Sequence, residues 1–229
     1  MKEGKDYVIY GGERCYISMF LNKPLLDLTE YEIKDISEIE GLNQLGNLHT
    51  LNLSFNKITE IKGLEQFSNL EDFRLRGNKI IKIEGLDKLA NLRSLDLSHN
   101  QITEIEGLDK LTNLSCLNLS YNNISEIKGL DNLTRLLNLG LQTNQIEKIS
   151  GLDNCPNLFT LDLYYNRITV LEGLEHLVNL FNIKLGENSI PARVLEQCVE
   201  ENVFYSPKDN FFPVDAQLCV EYCRKHSKS

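Results

Sequence analysis

The sequence has no apolar run long enough to cross a membrane, and its first fifteen residues lack the apolar core of a secretory signal. It also lacks common catalytic motifs: there is no P-loop, no HExxH metal motif and no glycine-rich dinucleotide fingerprint. These absences argue against a membrane protein and provide no motif for an enzyme. They predict a soluble, cytoplasmic protein with no catalytic residues and no cofactor.

Positive charge is scarce relative to negative charge. Lys and Arg number 24 against 33 Asp and Glu, which gives a formal net charge of -9. Because an acidic chain repels phosphate backbones, nucleic acid is not an expected partner. The basic residues of the C-terminus are predicted to form a solvated tail, namely Arg224, Lys225, His226 and Lys228. In the reducing compartment that we expect, the six cysteines should be free thiols.

No linker rich in Gly, Pro or Ser interrupts the chain; instead, the phrase LxxLxLxxN recurs every 22 residues without insertion or deletion. It ends at seven asparagines: Asn56, Asn78, Asn100, Asn122, Asn144, Asn166 and Asn188. A repeat of this length predicts a single elongated solenoid. Such a fold presents a long exposed surface and no closed pocket. We expect the protein to be a monomer.

Within one repeat, the residues from Thr50 to Ser54 alternate between polar and apolar, which predicts a short strand with one buried face. Leu48, Ile58 and Ile61 belong to the set of seven apolar side chains that should point into each coil. Burial of seven side chains does not offset the entropy lost when 22 residues become ordered. The copies must therefore stack in order to fold.

Two further columns of the repeat are predicted to be structural. The amide of each repeat asparagine should satisfy backbone groups at the turn and bridge neighbouring coils. A glycine recurs later in each repeat, where the chain should bend with positive φ; these are Gly63, Gly85, Gly107, Gly129, Gly151 and Gly173. Leu and then an acid follow every one of these glycines. We interpret the acid as lying at the positive end of a short helical turn, in preference to a metal site or a basic partner.

The longer pattern LxxLxLxxNxIxxIxGL resembles the leucine-rich-repeat subfamily of a protein phosphatase regulatory subunit, and repeats of the spliceosomal A-prime protein and of bacterial internalins are similar. The resemblance covers about residues 26 to 190. It implies an α/β solenoid, a right-handed superhelix with a curved parallel β-sheet on its concave face and short helical or 3₁₀ turns on its convex face. It also implies binding to other proteins. Internalins are exported, and the missing signal argues against an adhesin.

Both ends of the array should be capped. We predict an N-terminal cap over residues 1–25 containing a β-hairpin at Gly11–Gly12, then repeats over 26–190, of which the first is degenerate, and a C-terminal helical cap over 191–229. In that cap, one helix should open at Pro191, a loop should span 202–212, and a second helix should run from about Pro213 to Arg224.

The cysteines of the C-terminal cap are open to two interpretations. Cys219, Cys223 and His226 have helical spacing, and Cys198 could approach them, so a zinc site is conceivable. Because the spacing matches no recognised zinc finger, we favour buried thiols and predict no metal.

Function should reside on the outward positions of the strands, which vary from copy to copy while the core positions do not. Arginines and aromatic residues are the usual anchors of protein interfaces. Leu137, Phe159 and Phe181 share one position in three successive copies and should form an apolar strip. The predicted partner-binding residues are Arg74, Arg76, Asp96, His99, Tyr121, Phe159, Tyr164, Tyr165, Phe181 and Lys184.

Cys116 and His99 resemble a nucleophile and a base, but they should lie roughly 16 Å apart along the strand direction, out of hydrogen-bond reach. The sequence therefore favours a non-catalytic scaffold that binds a partner protein on its concave face, without nucleic acid or membrane. The alternative is a regulatory subunit of an enzyme such as a phosphatase or a small GTPase, for which the family resemblance is the motive.

Overall fold

The structure, a computed structural model, describes residues 7–199 and 214–227. These residues form strands and short helices: β1 Tyr7–Tyr10, β2 Glu13–Tyr16, β3 Ser18–Phe20, β4 Lys23–Asp27, β5 Thr50–Asn52, β6 Asp72–Arg74, β7 Ser94–Asp96, β8 Cys116–Asn118, β9 Asn138–Gly140, β10 Thr160–Asp162, β11 Asn182–Lys184, α1 Ala192–Leu195 and α2 Ala216–His226. Within the described ranges, no helix is long and apolar enough to cross a membrane.

Strands β3 to β11 form one sheet in chain order, and β4 to β11 run parallel. From β5 onward, each residue pairs with the residue 22 positions further along, as Leu51 pairs with Phe73 and Phe73 with Leu95. The middle residue of each strand in the repeats points into a continuous apolar core. The predicted leucine-rich solenoid with a parallel sheet on one face is confirmed.

The repeat asparagines act as predicted. Asn78 Nδ2 donates to the carbonyl oxygen of Leu75 at 3.0 Å and to that of Leu53, in the preceding coil, at 2.9 Å. Its Oδ1 accepts from the backbone N–H of Ile58 at 2.9 Å. One buried side chain thus satisfies groups of two coils, which a buried backbone requires.

The repeat glycines have positive φ, as predicted. At Gly107, φ is 68°, and a Cβ would lie 2.3 Å from the carbonyl oxygen of Ile83 in the preceding coil. A side chain is therefore excluded both by backbone conformation and by space. Gly63 also has positive φ, but a Cβ there would meet nothing within 4 Å.

The convex side of the regular repeats consists of single hydrogen-bonded turns, in agreement with the short helical or 3₁₀ turns expected there. Leu64 O accepts from Phe67 N at 3.1 Å, and Phe67 O accepts from Leu70 N at 3.0 Å, so two turns follow one another without merging into a helix. Towards the N-terminus, 3₁₀ helices occur at Ile36–Glu38 and Leu42–Gln44. The acid after each repeat glycine lies within the first of these turns, as Glu65 does between Leu64 and Phe67, and its interaction with the positive end of the turn stays a prediction.

The N-terminal hairpin is confirmed: β1 and β2 pair antiparallel around Gly11 and Gly12, and Val8 and Cys15 are buried against the first coil. A second hairpin, β3–β4, was not anticipated. It turns at Leu21 and Asn22, which have φ of 48° and 60°. Because β4 is Lys23–Asp27, the predicted boundary at residue 25 falls inside the first parallel strand.

At the C-terminal end, α1 is followed by a 3₁₀ helix at Glu196–Cys198, and α2 begins after Asp215, whose Oδ1 accepts from Leu218 N at 2.8 Å. Pro191 was expected to be the first residue of α1, but it is the N-cap, so the helix begins one residue later, at Ala192. The second helix starts three residues later than predicted. The predicted loop over 202–212 lies outside the described residues, as do the predicted tail residue Lys228 and the start of that helix at Pro213.

Candidate functional site

The predicted partner-binding residues lie at three levels of the sheet. Phe159 and Phe181 directly precede their strands, at the entrance edge. Arg74, Asp96 and Lys184 lie on the strands themselves, on the concave face. The others follow their strands, at the exit edge: Arg76, His99, Tyr121, Tyr164 and Tyr165.

Backbone conformation sets the direction of the side chains at the exit edge. The residue before each repeat asparagine has left-handed φ, for example 55° at His99, 58° at Tyr121 and 57° at Tyr165. This conformation costs a non-glycine residue roughly 1–2 kcal/mol. It is maintained here because the asparagine that follows is bound to the backbone of two coils. The left-handed backbone before each repeat asparagine was not predicted from the sequence.

At the exit edge, side chains of five successive coils contact one another in a line, which we name the exit ridge: Phe55, Arg76, His99, Tyr121 and Gln142. The guanidinium carbon of Arg76 lies 5.6 Å from the centroid of the Phe55 ring. The rings of His99 and Tyr121 stack with centroids 4.1 Å apart and an interplanar angle of 12°. Gln142 Nε2 donates to the hydroxyl of Tyr121 at 3.1 Å. Phe55 and Gln142 were not among the predicted residues.

The contact between Arg76 and His99 determines the state of the imidazole. Arg76 Nη2 lies 3.2 Å from His99 Nε2. Arginine can only donate, so Nε2 is the acceptor and the neutral ring carries its proton on Nδ1. Burial and the charge of Arg76 lower the pKa of His99, while Asp96 opposes them. His99 is therefore neutral at pH 7, and Arg76 is the cation of the exit ridge.

The predicted basic spot of Arg74 and Arg76 is divided in the structure. Arg74 Nη2 forms an ion pair with Asp72 Oδ2 at 2.6 Å, and this hydrogen bond raises the pKa of Arg74. Arg76 has no carboxylate within ion-pair distance among the described residues, and its buried Nε has no hydrogen-bond partner there. Arg74 is thus neutralised, whereas Arg76 carries the uncompensated charge.

Further along the concave face, Lys184 Nζ binds Asp162 Oδ2 at 2.8 Å. Asp96 Oδ1 accepts from the backbone N–H of Ser98 at 2.9 Å. Tyr164 and Tyr165 form a separate pair with ring centroids 6.4 Å apart. Lys184 and Asp96 are therefore already engaged, while Tyr165 is exposed.

The centre of the concave face holds an open depression of about 400 Å³, lined by residues of β7 to β10 and of the segments that follow them. Gly140 contributes no side chain there, and Cys116 is one of the lining residues. Cys116 Sγ accepts from Asn138 Nδ2 at 3.3 Å, whereas His99 contacts Arg76 and Tyr121. The two residues of the enzyme hypothesis thus have different partners, and the depression contains no nucleophile bound to a base.

At the entrance edge, Leu137, Phe159 and Phe181 form the predicted strip, which we name the entrance strip. The rings of Phe159 and Phe181 stack with centroids 5.0 Å apart at 9°, and Phe181 is 72% exposed. Beside the strip runs a second set of asparagine bonds that the sequence interpretation missed: Asn157 Nδ2 donates to Thr134 O at 2.8 Å, and Asn179 Nδ2 to Pro156 O at 2.9 Å.

The cysteines of the C-terminal cap are packed in its interior. Cys198, Cys219 and Cys223 are buried, and no group of three potential ligands among the described residues is arranged to hold a metal ion. Burial raises the pKa of Cys223 to about 12. The hydrogen bond between Cys198 and Cys219 raises the pKa of Cys219 and lowers that of Cys198, and burial raises the pKa of Cys219 further. The environments of Cys219 and Cys223 therefore suit thiols that fill the core of a cap and disfavour the thiolates that zinc requires.

A family model described as Leucine Rich repeats (2 copies) matches residues 46–88, 68–110 and 90–124. No curated protein sequence matches the chain. Among solved structures, internalin C2 from Listeria monocytogenes is 32% identical with a TM-score of 0.66, and the match covers 73% of each chain.

Two further structures are similar over most of this chain. An internalin (inlF) from Listeria monocytogenes is 26% identical with a TM-score of 0.45, and the match covers 72% of this chain and 61% of that one. TLR13, solved in a complex with ssRNA13, is 29% identical with a TM-score of 0.62. That match covers 75% of this chain but only 26% of TLR13.

Proposed function

This chain belongs to the leucine-rich-repeat family, and from that premise we propose that it is a non-catalytic scaffold that binds another protein on the concave face of its sheet and along the edges of that face. The observation that carries the proposal is the exit ridge, a line of aromatic and basic side chains that contact each other across five coils.

The exit ridge is suited to recognition because its side chains are already ordered. Stacking of His99 on Tyr121 and the bond from Gln142 restrict the rotamers of all three residues. Each flexible side chain that binding immobilises costs about 0.5–1.5 kcal/mol, so this order favours association. Tyrosine and arginine are also enriched among the residues that dominate interface energies.

The distribution of charge supports a protein partner. The chain carries a net charge of -9, which opposes nucleic acid. Arg74 and Lys184 are paired with carboxylates of their own sheet, so they contribute little net attraction for a polyanion. Arg76 remains as one local cation, to which a partner carboxylate can bind.

The test begins with affinity capture from the native cell and identification of the partner by mass spectrometry. The variant Tyr121→Ala should then weaken binding at least about tenfold, because it removes the stacked ring at the centre of the exit ridge. Ile81→Ala is the matched control, since Ile81 is similarly exposed but lies outside the ridge and the strip. Equal affinities of the two variants for the partner would refute the concave site.

A second variant separates the exit ridge from the tyrosine pair. Tyr164→Ala with Tyr165→Ala removes two aromatic rings three coils away from His99, with little loss of core packing because Tyr165 is exposed and Tyr164 is half-buried. We expect weaker partner binding with a nearly unchanged melting temperature. Unaltered capture of all partners would show that the binding surface does not extend this far.

The alternative, a regulatory subunit of an enzyme such as a phosphatase or a small GTPase, rests on the resemblance of the 22-residue pattern. It uses the same surface and differs in the identity of the partner. Tagged protein should then co-purify with phosphatase or GTPase activity that Tyr121→Ala removes. Partners without enzymatic activity would exclude it.

A cytoplasmic location is part of the proposal. Its support is the state of the cysteines, all six of which are free thiols, as is usual in a reducing compartment. Fractionation of native cells tests it, and recovery in a secreted or membrane fraction would contradict it.

A further inference from the structure

Among the residues that the structure describes, the N-terminal edge of the large sheet is formed by β3, which pairs with β4 and with no strand on its other side. All three residues of β3 are exposed. A strand with an unpaired side presents free N–H and C=O groups to any other strand.

The β3–β4 turn determines which groups of β3 face outward. Phe20 and Lys23 flank the two-residue turn and therefore form a hydrogen-bonded pair. The next pair, Met19 with Pro24, is then non-hydrogen-bonded, which agrees with the missing N–H of proline. The N–H and C=O of Met19 consequently point to the open side of the sheet.

This edge is also apolar and uncharged. Tyr16, Met19, Phe20 and Leu21 are 64%, 63%, 64% and 81% exposed. Residues 16–22 contain no charged side chain, although 25% of the whole chain is charged. Natural proteins usually protect such an edge with charges or proline.

The other end of the same sheet shows that protection. Strand β11 exposes Asn182 and Lys184, and Lys184 binds Asp162 on the neighbouring strand. A charged side chain on an edge strand opposes the addition of a further strand. The two edges of one sheet therefore differ, and only β3 presents an apolar edge.

In place of the monomer expected from the sequence, we propose that β3 pairs with β3 of a second copy of this chain, antiparallel and about a two-fold axis through Met19. At that position the outward N–H of each Met19 donates to the outward C=O of the other. An antiparallel strand paired with its own copy is self-complementary, as a two-fold interface requires. The absence of charge in residues 16–22 means that no like charges are brought together on the strands themselves.

The apolar area that two copies can bury at this edge is that of a weak dimer. Four large apolar side chains exposed to this degree present on the order of 100–150 Å² each, so two copies would bury roughly 1,000 Å². This is near the lower limit for a specific interface, for which micromolar affinity is expected. The concave face lies along the rest of the sheet and stays accessible in the dimer, so the partner-binding proposal stands or falls separately.

The net charge of -9 on each copy adds a testable property. Two acidic chains repel each other, and salt screens that repulsion while leaving apolar burial intact. Dimerisation should therefore strengthen as salt is raised from low to moderate concentration. An interface held by ion pairs would weaken instead.

The experiment is sedimentation velocity of the full chain from low micromolar to several hundred micromolar concentration. Wild type should shift from monomer to dimer across this range. Met19→Lys should weaken the dimer at least about tenfold, because it places two like charges opposite each other. Ile81→Lys is the matched control, with the same change in net charge at a similarly exposed apolar side chain distant from the edge.

A second pair of variants tests the geometry directly. In the proposed dimer the two Met19 side chains lie directly opposite each other, with Cβ atoms about 5.5 Å apart. This is longer than the roughly 3.5–4.5 Å of a disulfide but within reach of a short bismaleimide cross-linker. Treatment with such a cross-linker should therefore give a covalent dimer of Met19→Cys, and Ile81→Cys should not. Circular dichroism of each variant verifies the fold.

The outcomes are decisive. A wild type that is monomeric at every concentration, equal effects of Met19→Lys and Ile81→Lys, or equal cross-linking of the two cysteine variants would overturn the proposal. Larger assemblies without a discrete dimer would also overturn it, since a two-fold pair closes. A dimer lost only in Met19→Lys and cross-linked only through Met19→Cys supports it.

Discussion

Replacement of one repeat asparagine in the middle of the solenoid should be among the most destabilising polar substitutions in this protein. Asn122 Nδ2 donates to the carbonyl oxygens of Leu97 at 3.0 Å and Leu119 at 2.9 Å, and its Oδ1 accepts from Ile102 N at 3.0 Å. Asn122→Ala leaves the buried N–H of Ile102 without a partner, whereas each carbonyl oxygen keeps one bond, Leu97 O from Asn100 and Leu119 O from Asn144. An unsatisfied buried donor costs about 1–3 kcal/mol, and the loss of one of two bonds to a carbonyl oxygen costs less. We expect a total loss of about 2–4 kcal/mol.

The control is the neighbouring residue. Asn123 is exposed, and its only side-chain hydrogen bond within the described residues is a 3.5 Å contact from Gln145. Asn123→Ala should therefore change stability by less than about 0.5 kcal/mol. Equilibrium unfolding in urea, followed by circular dichroism, measures both variants. A loss below about 1 kcal/mol for Asn122→Ala would refute the reasoning that the asparagine column holds the coils together.

Asn122→Asp extends this test. The carboxylate keeps the acceptor for Ile102 N–H but places a negative charge against the carbonyl oxygens of Leu97 and Leu119. Burial and these oxygens should raise the folded pKa of the new acid above its unfolded value. Its stability relative to wild type should then be greatest at low pH and decline as pH rises towards 7. A pH-independent difference from wild type would contradict this account.

Three further predictions concern other parts of the fold. Gly107→Ala should lower the free energy of unfolding in urea by at least about 2 kcal/mol, because its Cβ would meet a carbonyl oxygen of the preceding coil. Gly63→Ala, where a Cβ has free space, should lower it by only about 1 kcal/mol. Equal losses in the two variants would be inconsistent with this packing. The hydrogen bond from Lys62 lowers the pKa of Asp35 to about 2, so the ionised carboxylate stabilises the fold above its unfolded pKa, and this stabilisation is lost as pH falls towards 2. Asp35→Asn should therefore reduce the loss of stability in acid. An unchanged pH dependence of unfolding in this variant would disprove the assignment. Burial raises the pKa of Cys155 to about 11, so iodoacetamide at pH 8 should modify this thiol only after unfolding. Mass spectrometry measures the modification, and rapid labelling of Cys155 in the native protein would contradict its burial.

Much of the fold could be predicted because each feature of the repeat occurs in seven copies, which support one another. The position of Asn78, between a strand and an inward bend, is enough to infer its bonds to two coils. The hairpin at Gly11–Gly12 follows from local turn chemistry. The β3–β4 hairpin, which was not predicted, has a weaker signal, because its turn pairs Asn22, which tolerates positive φ, with Leu21, which rarely adopts it.

The candidate site was predicted in part. A spacing of 23 residues places Arg76 and His99 in adjacent coils, so their proximity could be expected. Their hydrogen bond could not, because it depends on the left-handed backbone at His99. The neutralisation of Arg74 by Asp72, two positions earlier on the same strand, also depends on rotamers that the sequence pattern does not contain.

The sequence by itself determined the solenoid, its 22-residue register and the residues that face the core, because periodic apolar positions can be buried together only by stacking. Only the tertiary structure decided which outward side chains contact one another. It aligned Arg76, His99 and Tyr121 into one ridge, paired Arg74 with Asp72, and left one edge of the sheet apolar and open. These outcomes depend on φ, rotamer and strand order, which are set by contacts between coils and have no period in the sequence.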